Sequence, residues 1–131
     1  MQPKLLYSIM CDAIARGPEG KMTLYGIFDR IVARKMPTTH RSLTIVTTWQ
    51  SGDREYKMRI RILDPKGKQI FKTPEMPFKL RGKFAKSEMV VELNNMRFER
   101  PGIYLIQVLL NSEVKTEYPL SVMQIKSPKE V

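Results

Sequence analysis

The sequence holds 131 residues, 42% of them hydrophobic and 27% charged, with a formal net charge of +10. That apolar content is enough for one buried core, since a domain of this size removes roughly two-thirds of its unfolded surface from water, and the charge content is that of a globular chain rather than a disordered one. No apolar run approaches the ~18 residues of a membrane-spanning helix, and Cys11, the only cysteine, excludes an intrachain disulfide and points to a reducing, cytoplasmic setting.

The N-terminal stretch LLYSIMCDAIA (residues 5–15) carries two periodicities. Leu5, Leu6, Ile9, Met10 and Ala13 would line a helical face, while Leu5, Tyr7, Ile9, Cys11 and Ala13 alternate along a strand. The stretch also follows Lys4 and ends in Ala-x-Ala, as a secretory leader does. Asp12 inside the apolar region and Met10 ahead of Cys11 argue against export. After the turn GPEGK (residues 17–21) comes MTLYGIFDRIVA (residues 22–33), β-rich, with Gly26 marking a bulge. Both segments are read as strands.

SLTIVTTW (residues 42–49) is dense in β-branched residues, which pack well on a pleated surface. YKMRIRIL (residues 56–63) alternates cleanly: Met58, Ile60 and Ile62 to one side, Lys57, Arg59 and Arg61 to the other. DPKGK then makes a turn into QIFK (residues 69–72), completing a hairpin. EMVVELNNMRF (residues 88–98), IYLIQVLL (residues 103–110) and VKTEYPLSVMQIK (residues 114–126) follow, and Pro119 places an edge or a bulge in the last. About eight strands and no helix predict an all-β fold. The expected architecture is a two-layer antiparallel β-sandwich, immunoglobulin-like or jelly-roll-like, over residues 1–131 as a single domain.

Pro101 and Gly102 open the strand that holds Tyr104. This is the arrangement of a tyrosine corner, in which the phenol bonds back to nearby backbone. No base or metal ligand accompanies the tyrosine, so its role is read as structural.

CDAI, GKMTLYGIFDRIVA, a proline followed by LTIV, DPKGK and RFERPGIYLIQVLLN, in that order and spacing, resemble an uncharacterised group of bacterial proteins catalogued only as a domain of unknown function. The resemblance runs from about Leu6 to Gln124. It implies a small bacterial β-sandwich and carries over no activity, cofactor or catalytic residue. The pairing of DPKGK with PGIY also recurs in immunoglobulin-like and macroglobulin-like domains, which share a sandwich but no single function.

Catalytic chemistry finds little support. His40, the only histidine, sits in the polar connection PTTHRS, and Cys11 alternates with apolar neighbours as a buried small hydrophobe does. One histidine and one cysteine match no zinc spacing, and neither G-x-S-x-G nor a phosphate-cradling glycine loop occurs. The four aspartates are scattered, and Asp29 is expected to pair with Arg30 or a backbone amide. No catalytic, cofactor or metal residue is assigned, and no cofactor is expected.

Charge is the remaining feature. Residues 54–86 hold eleven Lys and Arg against Glu55, Asp64 and Glu75. Lys57, Arg59 and Arg61 share a strand face, and KLRGKFAK adds Lys79, Arg81, Lys83 and Lys86 with Phe78 and Phe84 nearby. Cations interleaved with aromatics are what single-strand nucleic-acid binders use; a solvated face that keeps the protein soluble is the plainer reading. The sequence therefore reads as a non-enzymatic module that binds a protein partner or itself. Binding of single-stranded nucleic acid or another polyanion through residues 54–86 is the alternative.

Overall fold

The computed structural model describes residues 2–126. Two packed sheets account for almost all of them. The first contains β1 (Lys4–Arg16), β2 (Met22–Ile27), β4 (Thr38–Gly52) and β8 (Gly82–Phe98), in the order β2-β1-β4-β8. The second contains β3 (Arg30–Ala33), β5 (Glu55–Leu63), β6 (Gln69–Lys72), β7 (Met76–Lys79), β9 (Gly102–Leu110) and β10 (Glu113–Gln124), in the order β3-β10-β9-β5-β6. β6 and β7 pair with successive stretches of the same edge of β5: opposite β9, Ile62 meets Phe71 of β6 and Met58 meets Met76 of β7. All pairings but one are antiparallel among the described residues; β3 runs parallel to β10.

The two-layer β-sandwich is as expected, but it has ten strands rather than eight. One extra strand arises because residues 22–33 divide. After β2 pairs with β1, the chain passes through Phe28 and Asp29 into the second sheet, where Ile31 lies beside Val122. The other is β7, whose prolines disguise it. Pro77 needs no ladder donor because β7 is a sheet edge. β8 also starts at Gly82, well before Glu88. Its polar opening has weak strand propensity of its own, and the length of β4, with Gln50 opposite Lys86 and Gly52 opposite Gly82, draws it into the ladder.

Burial follows the pleat. In β5 buried Tyr56, Met58, Ile60 and Ile62 alternate with exposed or half-buried Lys57, Arg59 and Arg61. β4 instead buries every residue from Leu43 to Trp49, because it is flanked by long neighbours and covered on both faces. Trp49 stacks on Phe78, which meets Tyr56, at one end of the core; at the other, Phe98 meets Tyr104 edge-on at 5.0 Å. Each such fully buried side chain contributes roughly 1.5–3 kcal/mol.

The second cover on β4 is the β1–β2 hairpin. Tyr7, Thr48 and Glu88 lie in one row across β1, β4 and β8, so an unbent β1 would carry Arg16 roughly 30 Å from that row at ~3.4 Å per residue. Arg16 Nη1 nevertheless sits 3.1 Å from Glu88 Oε1. The hairpin therefore folds back over the outer face of the first sheet, where Cys11, Thr44, Val46 and Thr48 are all buried. Gly26, with φ of +64°, permits the bend, and a Cβ there would collide with the Asp12 carboxylate.

Candidate interaction surface

On the outer face of the second sheet the exposed side chains sort by type. Residues directly opposite one another share a face, which assigns Arg30 and Val32 of β3, Pro119, Ser121 and Met123 of β10, and Ile103 and Leu105 of β9 to one half. Val32, Ile103 and Met123 are exposed at 49%, 53% and 41%. Ile103 and Met123, with Asp29, Arg30, Pro119 and Ser121, border a shallow hollow of about 300 Å³, and Val32 stands opposite Met123 on the neighbouring strand. Pro119 stands before β3 begins, so β10 has no second neighbour at that point; the pairing starts with Ser121, whose N–H reaches the Asp29 carbonyl at 3.1 Å.

The other half is cationic. Lys57, Arg59 and Arg61 of β5 are joined by Lys72, opposite Arg61, and Lys79, opposite Glu55. A hydrogen-bonded row separates the halves. Arg61 Nε donates to Gln107 Oε1 at 2.6 Å, and Gln107 Nε2 donates to Glu117 Oε1 at 2.9 Å. Arg59 Nε is buried with no hydrogen-bond partner, a donor left over at the middle of the band.

The sequence-derived basic set is thus divided. Lys57, Arg59, Arg61 and Lys79 share this face, Arg81 lies in the link after β7, and Lys83 and Lys86 belong to β8 in the other sheet. Arg61 is already engaged by Gln107. Of the two aromatics expected to interleave, Phe78 is core at 6% exposure, whereas Phe84 is 78% exposed with the Lys83 ammonium 5.6 Å from its ring centroid. The sequence reading missed Lys72 and the trio Val32, Ile103 and Met123. Those are residue types that ordinarily fill cores, and only the sheet order shows that they face outward.

The tyrosine corner is built as expected. Tyr104 is 1% exposed and its hydroxyl donates to the Arg100 carbonyl at 2.8 Å. Burial pushes its pKa up, partly offset by that bond. A hollow of about 390 Å³ opens beside it, but both of its carboxylates already have partners. Arg97 pairs with Glu99 at 2.6 Å, and Asp64 accepts the Lys68 and Lys66 amides at 2.8 and 2.9 Å. The Lys68 amide first, and nearby cations last, hold the Asp64 carboxyl below its usual range.

Cys11 and His40 have separate neighbours. The Cys11 thiol is buried, which raises its pKa, and it donates weakly to the Ala13 carbonyl at 3.5 Å. The His40 ring lies 5.2 Å from Phe28 and 3.8 Å from the Asp12 carboxylate. Asp29 takes Arg30 Nε at 3.3 Å and gives its carbonyl to Ser121, the pairing expected for it. Among the described residues no three His, Cys, Asp or Glu side chains gather as a metal would require, and no helix is long and apolar enough to cross a membrane.

A family model described as "Family of unknown function (DUF6941)" matches residues 6–123, nearly the whole chain. The chain belongs to that family. No curated protein matches the chain. Among solved structures it is similar to a β-glucosidase from Listeria innocua in complex with isofagomine, at 10% identity and TM-score 0.57, over 96% of this chain and 17% of that one. It also matches a Pseudomonas fluorescens alkylpurine DNA glycosylase bound to DNA, at 14% identity and TM-score 0.49, over 88% of this chain and 30% of that one. An immunoglobulin-like protein from Pseudomonas aeruginosa matches at 12% identity and TM-score 0.40, over 93% and 97%. This chain spans under a third of the first two proteins. The likeness to the glucosidase concerns the sandwich alone, and the other two are too distant to carry an argument.

Proposed function

We propose that this DUF6941 domain is a non-enzymatic, cytoplasmic bacterial module that binds a protein partner through the outer face of its second sheet. The observation that carries this reading is the exposed pair Ile103 and Met123 at the hollow, with exposed Val32 opposite Met123, next to a cationic band. An apolar centre with a charged margin is the usual anatomy of a protein interface, and contiguous exposed apolar residues are uncommon on surfaces that meet only water. The band, with exposed Lys57, Lys72 and Lys79, favours a partner acidic on one side.

The test is a photo-crosslinking residue at Ile103 in cells of the source organism. A discrete protein adduct that disappears on Met123→Asp, with the fold intact by circular dichroism, supports the reading. An adduct indifferent to Met123→Asp, or none, defeats it.

A second reading has its own observation. Lys57, Arg59, Arg61, Lys72 and Lys79 lie on one face, and such a band attracts polyanions, single-stranded nucleic acid included, by counterion release.

A further inference from the structure

The edges of the two sheets are not equally protected. β2 and β3 are short, and β6 and β7 are four residues each, with Pro74 between them and Pro77 inside β7. Short strands and prolines are the ordinary means of keeping an edge from pairing with another chain. β8 has neither. It runs for 17 residues without proline, pairs only with β4 among the described residues, and keeps an unbroken register from Lys86 to Phe98. Alternate N–H and C=O groups along it point away from β4 into solvent.

We propose that β8 pairs with β8 of a second copy of this chain, antiparallel, about a two-fold axis at Met89. This goes beyond the partner surface proposed above, from which it is spatially separate. A two-fold axis normal to the sheet sets residues of equal parity opposite each other, so only a few registers need comparison. Centred on Glu88, the pairing sets Glu88 against itself; centred on Val90, it sets Glu88 against Glu92 twice. Like charges directly opposed destabilise a ladder. Centred on Ser87, it uses Glu88, already bonded to Arg16, and faces Lys83 with Val91. Centred on Val91, it runs through Asn95, whose φ of +58° interrupts the extended backbone.

Centred on Met89, no like charges meet; Glu88 faces Val90 twice but keeps its own partner Arg16. Lys86 meets Glu92 of the other copy twice, on the outer face. Neither has an ion-pair partner within its own chain among the described residues. On the inner face Ala85 meets Leu93, Ser87 meets Val91 and Met89 meets its copy, continuing the core side of the sheet, where Val91 and Leu93 are buried. The overlap, residues 83–95, ends at the two interruptions, Gly82 with φ of +127° and Asn95. The result is an eight-stranded sheet shared by two molecules, in the isologous arrangement of most homodimers.

Sedimentation velocity over a concentration series tests this. The native chain should dimerise reversibly. Lys86→Glu and Glu92→Lys should each weaken the dimer about tenfold, because each turns two attractive cross-strand pairs into repulsive ones. An equimolar mixture of the two variants should restore dimer, since both pairs are then complementary. A native chain that stays monomeric throughout, a dimer indifferent to either variant, or a mixture no tighter than its components overturns the proposal. Both positions are exposed, and circular dichroism of each variant confirms the fold. Met123→Asp leaves the dimer unchanged if the two surfaces are independent, so failure here and failure of the partner surface are read separately.

Discussion

The hydroxyl of Tyr118, from the second sheet, meets the hydroxyl of Ser8, from the first, at 2.9 Å, and Ser8 meets Thr47 at 3.0 Å. This polar contact ties the layers together inside an otherwise apolar interface. Burial pushes the Tyr118 pKa up to about 12, with the Ser8 bond a smaller opposing effect. An unfolded tyrosine titrates near 10. Between those values the unfolded chain has shed the proton and the folded one has not, so the unfolded state binds fewer protons and stability falls as pH rises. The contribution is complete below about pH 10 and lost progressively toward 12, about 2–3 kcal/mol in all. Urea midpoints from pH 8 to 11.5 should drop more steeply for the native chain than for Tyr118→Phe.

Tyr104→Phe should cost on the order of 1 kcal/mol, the net worth of its bond to Arg100. The ring stays to pack edge-on against Phe98. Equilibrium urea unfolding with an unchanged m-value would register it; a neutral substitution would show that the corner bond adds nothing.

Gly102→Ala should be harsher for its size. Gly102 has φ of +140°, and a Cβ there would stand 2.7 Å from Pro65 Cγ. Strained backbone and a crowded ring together predict a loss of roughly 1–3 kcal/mol, readable as a lowered thermal midpoint.

Much of this was legible beforehand because it is local. The alternation in β5 named its inner and outer residues, and the corner needs only Arg100 and Tyr104, four positions apart. What escaped depends on neighbours distant in sequence. β7, to which the sequence reading assigned no strand, forms because β5 gives it a partner, and KFAKS joins β8 only because β4 is long enough to receive it. The fold-back of the β1–β2 hairpin hangs on Arg16 reaching Glu88, 72 positions away. Likewise, a run of cations in sequence became two groups on different sheets once the chain crossed at Leu80.

That division reshapes the polyanion test. Arg59 and Arg61 are half-buried, and Arg61 holds Gln107, so replacing them disturbs packing as well as charge. Lys57, Lys72 and Lys79 are exposed. Lys57→Gln, Lys72→Gln and Lys79→Gln together should reduce the salt dependence of single-stranded DNA binding by about two to three in logarithmic slope, leaving stability alone. Binding lost near physiological salt, with no preference for sequence, is the expected native behaviour. Tight binding there, weakened by the triple change, would move the polyanion reading ahead of the protein partner.

The parallel pairing of β3 with β10 has a consequence in time. β3 holds only four residues and has β10 as its sole strand neighbour among the described residues; even the Gln124 side chain reaches back to the Arg34 carbonyl, 90 positions upstream. Contacts of such separation must overcome a large loop-closure entropy before they stabilise anything, and folds dominated by them assemble in milliseconds to seconds rather than microseconds. While the chain is being made, Ile31 can be extruded long before the strand that will shelter it. A nascent chain short of Ser121 therefore displays an apolar strand to whatever is near, chaperone or aggregate.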